Sequence, residues 1–209
     1  VLWGLTGKAD GETRFIASAE VSAHVQRILP RFDLVVGTEE ELQIAGGSED
    51  LLTALRRVRE MTAATLVVKL GAQGCTVLHG AIPARLEEGE IHRGIRVEVL
   101  NVLGAGDAFM SGFLRGWLTG GDDAECCRLA NACGGLVVSR HGCAPAMPTL
   151  AELDYLHHSP VPITRPDLDP VLTRLHRVSV RRRAWQQLFI FAFDHRYQLV
   201  ESAQQVGAD

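Results

Sequence analysis

Two rhythms of apolar residues run along this chain. In one, Val21, Val25, Ile28 and Leu29, and later Leu51, Leu52, Leu55 and Val58, recur every three or four positions, the spacing of a buried helix face. In the other, short unbroken runs such as Leu34-Val35-Val36 and Leu66-Val67-Val68 read as strands covered on both faces. The pattern predicts a helix over 17–29 stopped by Pro30, a strand over 33–37, and a short helix from Glu39 to Ile44 broken at Gly46-Gly47. A helix over 49–61, a strand over 66–70 and a turn from Gly71 to Gly74 follow. Residues 75–78 and 82–86 read as a hairpin around His79-Gly80, and 95–102 as a further strand. A helix then opens at Gly104 and reaches Leu118, with Phe109, Phe113 and Trp117 as a core stripe and Gly112 and Gly116 leaving room for a close neighbour. Another helix spans 123–139, and Thr149 caps a last one ending at Leu156. Strands alternating with helices imply an α/β fold, a mostly parallel sheet between two helical layers. In such folds ligands sit beyond the carboxyl ends of strands, where the Gly71 and Gly104 turns fall.

The remainder changes character. His157 to Arg183 is rich in proline and arginine and reads as a solvated linker; between Val171 and Gln186 there are five arginines and no acid. Leu188 to Phe193 reads as a new buried strand with a helix starting near Gln198, the opening of a second α/β domain. The expected division is 1–156, a linker over 157–183, and 184–209. Val1 to Leu5 reads as the end of a strand without its neighbour, so both ends look cut and the sheet is expected to have an open edge.

Composition narrows the functions. Apolar residues make up 46% of the 209, enough for a substantial core, and the net charge of −4 gives no reason to expect nucleic acid as a partner. No apolar run approaches the roughly 20 residues of a membrane span, and no basic signal-like start is present. The five cysteines lack Cys-x-x-Cys spacing, so free buried thiols in a reducing, cytoplasmic setting are expected rather than disulfides or zinc.

The chemistry concentrates in Gly104-Ala105-Gly106-Asp107. Two glycines permit a tight turn, and the helix start adds unpaired N–H groups and the positive end of a dipole, a nest for phosphate or another oxyanion. Asp107 beside that nest is a candidate base for a hydroxyl attacking phosphorus. The plainer reading is an aspartate complementing the dipole. Glu39 to Glu41 equally suit a solvated acidic first turn, and Lys69 a solvent-facing strand end.

Four segments together resemble one family. Asn101-Val102-Leu103-Gly104-Ala105-Gly106-Asp107-Ala108-Phe109 resembles the Asp-Thr-x-Gly-Ala-Gly-Asp-x-Phe signature of ribokinase-like (PfkB) carbohydrate kinases. Thr38-Glu39-Glu40-Glu41 resembles their Asn-x-x-Glu motif, and Val68 to Gly74 their Thr-Leu-Gly-x-x-Gly nucleotide turn. Ala130-Asn131-Ala132 with Arg140-His141-Gly142-Cys143 resembles the helix and loop walling the adenine pocket. The likeness covers about residues 1–156, the C-terminal half of a three-layer α/β/α ribokinase-like fold. It implies ATP and Mg²⁺ as cofactors and a small sugar or sugar acid as substrate. Asp107 would be the base, with Gly104, Ala105 and Gly106 forming the phosphoryl cradle. Lys69, Gly71, Gly74, Asn131 and Gly142 would bind nucleotide, and Glu41 would act on the metal. Asn101-Val102 depart from the Asp-Thr associated with a monovalent cation, and Thr38 from the asparagine. Those departures resemble the 5-dehydro-2-deoxygluconokinase branch, some of whose members carry a C-terminal aldolase-like barrel domain; Arg183 to Arg196 resembles its opening. The resemblance is compatible with a homo-oligomer and implies neither nucleic acid nor membrane as partner. Because the family's sugar-binding residues come mainly from the other half, the isolated chain is expected to be inactive, and an unpaired sheet edge with open apolar surface is expected to make it poorly soluble. Two further readings stand beside this one: a non-catalytic nucleotide-binding fragment or pseudokinase, and a dinucleotide-dependent oxidoreductase, although no Gly-x-Gly-x-x-Gly follows the first strand.

Overall fold

The computed structural model describes residues 19–179, which form four strands and seven α-helices. In chain order they are α1 (Ala19–Ile28), β1 (Leu34–Thr38), α2 (Glu39–Gly46), α3 (Leu51–Met61), β2 (Thr65–Lys69), β3 (Cys75–Leu78), β4 (Ile91–His92), α4 (Ala105–Leu118), α5 (Asp123–Val138), α6 (Leu150–His158) and α7 (Pro170–Ser179). The expected strand at Val1–Leu5, Arg181 to Arg183, and the second domain over 184–209 lie outside the described residues.

The sheet runs β1-β2-β3-β4. Alternate residues of β2 serve opposite faces, as the two-residue strand period requires. Leu66 and Val68, with Leu78 of β3, pack against Val25, Leu29, Leu42, Leu55 and Val58 of the α1–α3 side. Val67 and Cys75 pack against Phe109, Phe113, Cys126, Cys127 and Ala130 of α4 and α5. Both faces are therefore covered, and the three layers expected are present. The sheet is mixed, however, rather than mostly parallel. Among the described residues only β1 and β2 pair parallel; β2–β3 and β3–β4 pair antiparallel. Connection length decides this. Two helices link β1 to β2, whereas only five residues link β2 to β3, too few for a parallel crossover.

Four other expectations are corrected. Residues 82–86 form no strand; β3 pairs instead with β4, Cys75 opposite His92 and Thr76 opposite Ile91. Pro83 has no N–H to give a ladder. Residues 95–102 also lie outside the sheet: the N–H groups of Leu100 and Asn101 donate to the Val138 carbonyl and that of Glu98 to the Thr164 carbonyl, all outside any ladder. Val99 and Val102 are exposed. Trp117 is 38% exposed, at the rim rather than in the core with Phe109 and Phe113. Finally, the stretch read as a solvated linker contains α7, whose Leu172 is fully buried against Leu136, Val137, Ala146 and Leu153. Arg174 and Arg177 on the same helix are exposed, as a basic solvated face requires.

The glycines of α4 do what their spacing suggested. A Cβ on Gly112 would lie 2.5 Å from the Leu129 carbonyl, and one on Gly116 2.9 Å from Cys126 Cα, so α4 and α5 cross with backbones nearly touching. No helix among the described residues is long and apolar enough to cross a membrane.

Candidate functional site

The parallel register of β1 and β2 sets Thr38 opposite Lys69 at the carboxyl ends of both strands. Thr38 is at once the last residue of β1 and the cap of α2. The Glu41 N–H donates to Thr38 Oγ1 (3.2 Å), and the Thr38 N–H donates to Glu41 Oε2 (2.7 Å), a reciprocal capping box. Thr38 thus caps α2, a role that asparagine also fills well. Glu41 Oε2 also meets Lys69 Nζ at 3.3 Å, with both side chains mostly buried. Lys69 is therefore not a solvated strand end. Its ammonium reaches the first turn of α4, where a Cβ on Gly106 would sit 3.5 Å away.

That turn is built around Gly104, whose φ of +83° favours glycine. Among the described residues no side chain caps α4; the Ala105 N–H donates to the Val102 carbonyl (3.3 Å), which leaves the amides of Gly106 and Asp107 as the first-turn donors without a partner. Asn101 shapes the approach: its Oδ1 accepts the Leu103 N–H (3.1 Å), and its Nδ2 donates to the Gly142 carbonyl (3.0 Å). Gly104 in turn backs onto Cys143; a Cβ on Gly104 would stand 2.5 Å from Cys143 Sγ. Asp107 is exposed, and among the described residues its carboxylate makes no hydrogen bond or ion pair. A free carboxylate, a lysine ammonium and an uncapped helix start can together receive an anion and the proton of an attacking hydroxyl.

The other candidate residues form a second group. Gly71 (φ +58°) faces open space, while Gly74 (φ +108°) is overrun by the His92 carbonyl and Gly94, which leave no room for a side chain. Asn131, only 8% exposed, donates its amide to the His92 carbonyl (2.9 Å) and the Arg93 carbonyl (3.2 Å), stitching α5 to the end of β4. Gly142 (φ +91°) belongs to the first group through Asn101. Lys69 and Gly71, two residues apart, join the groups. Sequence reasoning passed over Asn101 and Cys143 as parts of the cradle. The polar residue two positions before Leu103 was the available signal for the first, since Asn readily bonds its own backbone two residues on.

Among the described residues no group of three or more His, Cys, Asp or Glu side chains could hold a metal ion. A single carboxylate beside the cradle still suits magnesium, which keeps several waters and binds chiefly through substrate phosphates.

Residues 8–150 match the model of the pfkB family carbohydrate kinases, and residues 152–209 match one described as an uncharacterized protein conserved in bacteria. A 5-dehydro-2-deoxygluconokinase of Bacillus thuringiensis (strain Al Hakam) is 31% identical over 145 residues, which are 66% of this chain and 41% of that protein. The chain therefore spans less than half the length of this relative. Among solved structures, a fructokinase from Vibrio cholerae O395 with fructose, ADP and calcium bound is 31% identical at a TM-score of 0.55, with 65% of this chain and 44% of that one covered. Arabidopsis thaliana ribokinase complexed with ribose and ATP is 25% identical at a TM-score of 0.56, covering 64% and 43%. Nothing in these matches supports the dinucleotide-dependent reading. With an uncapped, glycine-started α4 beside Lys69 and a family match over 143 of its 209 residues (8 to 150), the chain belongs to the pfkB family of carbohydrate kinases.

Proposed function

We propose that this chain carries the nucleotide- and phosphoryl-handling part of a kinase that transfers the terminal phosphoryl of MgATP to a hydroxyl of a sugar acid. The observation that carries the reading is the Lys69 ammonium lying at the uncapped first turn of α4, beside an unpartnered Asp107. Asp107 takes the proton of the attacking hydroxyl as its oxygen bonds to phosphorus and the bond to ADP breaks. Gly104 and Ala105 shape the turn, whose Ala105 N–H is taken by the Val102 carbonyl, the amides of Gly106 and Asp107 hold the migrating charge, and Lys69 adds a full positive charge to theirs. Glu41 orients Lys69 and acts on the nucleotide's magnesium through water. Gly71 and Gly74 shape the turn that the nucleotide approaches, and Asn131 and Gly142 border the adenine side. 5-Dehydro-2-deoxygluconate is the proposed substrate, on the name of the Bacillus relative. Residues 184–209 are proposed to open an aldolase-like domain, and the setting to be cytoplasmic.

Substituting Asp107→Asn in the full-length gene product tests this. Turnover is expected to fall on the order of 10²-fold or more, with MgADP affinity kept; an unimpaired variant refutes the assignment. A second reading applies to the isolated chain. Because it spans 41% of the kinase relative, it is expected to bind nucleotide without turnover.

A further inference from the structure

Behind Gly104 lies a buried polar cluster with no part in the chemistry above. Glu152 of α6 is fully buried and ion-paired with Arg140, which is itself nearly buried. Its Oε2 also accepts the Thr149 N–H (2.8 Å) and hydroxyl (3.0 Å). Arg140 Nη1 donates to the Ala146 carbonyl (3.2 Å). His176 of α7 enters the same cluster. Its Nδ1 lies 3.2 Å from Glu152 Oε2 and 3.3 Å from Arg140 Nη1, and its Nε2–H donates to the Pro145 carbonyl at 2.7 Å. Arg140 and His176 thus grip adjacent carbonyls, of Ala146 and Pro145, in one loop. At its other end that loop presents Gly142, whose carbonyl holds Asn101, and Cys143, which meets Gly104. Leu172, one turn before His176, is fully buried beneath it against Ala146. The boundaries of the two family matches cut across this arrangement. The kinase match ends at residue 150 and the second begins at 152, yet the compact unit of the fold extends to Ser179.

We infer that α7 is a working part of the phosphoryl cradle, and that His176 is a positioning residue holding the 142–147 loop against the Gly104 turn. The inference rests on the nucleotide reading of that cradle. It makes a segment matched by the second family model a component of the first family's site. Removing the chain after residue 156 would then loosen nucleotide binding and not merely expose apolar surface.

The test is calorimetric titration of the full-length protein with MgADP, comparing wild type, His176→Ala and His176→Gln. A glutamine amide can stand where Nε2–H stands and donate to the Pro145 carbonyl. His176→Ala is expected to weaken MgADP by about three- to tenfold, the range for one hydrogen bond, and His176→Gln to restore it to within about twofold. Wild-type affinity in His176→Ala, or equal loss in both variants, overturns the proposal, since neither marks a role for that donor. Should His176→Ala fail to fold, the wild-type protein still decides. Coupling is reciprocal, so MgADP must slow amide hydrogen exchange across residues 170–179; unchanged exchange there overturns the proposal. A wild-type protein that binds no MgADP refutes the nucleotide reading itself, a failure visible before any variant is made.

Discussion

Replacing Gly104 with alanine tests the cradle's construction at its tightest point. Two independent costs arise. The φ of +83° places an L-residue in the left-handed region, at about 1–2 kcal/mol. The new methyl would also stand 2.5 Å from Cys143 Sγ, an overlap that forces the loop or the helix start to shift, at about 1–3 kcal/mol. Together Gly104→Ala should lower stability by roughly 2–5 kcal/mol. The two costs separate in a double-mutant cycle. Cys143→Ala removes the sulfur and leaves a Cβ 3.3 Å from the methyl, a tight but tolerable contact, so the pair should recover the steric part and keep the strain. Urea unfolding of wild type, both single variants and the double variant measures this, with unchanged slopes showing that the unfolded state is not at issue. A coupling energy of about 1–3 kcal/mol is expected; one below about 0.5 kcal/mol would falsify the contact.

Other outcomes follow from the same geometry. Burial works against Glu152 ionising, but the Thr149 N–H and the Arg140 charge outweigh it and hold the carboxyl below its ordinary 4.5. Its contribution is therefore complete above about pH 5 and lost as pH falls through the lowered folded-state value. Urea midpoints measured against pH should show an acid limb in wild type that Glu152→Gln flattens, while Glu152→Ala, stranding Arg140, costs about 3–5 kcal/mol. Thiol labelling should discriminate as sharply. Burial pushes Cys133 up to about 11 and raises Cys126, whereas Cys143 is half-buried. A disulfide reagent near pH 8 should modify Cys143 first, and all five cysteines only after unfolding. Native labelling that persists in Cys143→Ala at the same rate would contradict the burial described.

Local signals carried further in some places than in others. Helices whose ends carry their own chemistry were legible to within a residue or two: Thr38 with Glu41, Asp50 accepting the Thr53 N–H at the start of α3, and Thr149 with Glu152 write their boundaries in side chains, and Gly104 writes that of α4 in a backbone turn. The strands that failed, 82–86 and 95–102, have suitable apolar residues, but strand formation needs a partner, and pairing is a long-range fact that residue type does not encode. The same holds for α7. A basic, proline-bounded stretch looks solvated until Leu172 is seen in the core and His176 on the Pro145 carbonyl, contacts made with residues far away in sequence. At the site, the nest and its aspartate were visible because their chemistry is contiguous in sequence. The engagement of Glu41 with Lys69 was not, since 28 positions separate them and only the β1–β2 pairing brings them together (69 minus 41).

That pairing has a consequence for how errors in assembly would show themselves. Side chains on a strand change sides at every step, so sliding β2 past β1 by a single rung would swing Lys69 away from the first turn of α4 and drive its charge among the leucines behind the sheet. A misaligned chain would thus lose the Lys69–Glu41 pair and the packing of the sheet for one and the same reason, so the ion pair reports on the hydrogen-bond ladder without belonging to it.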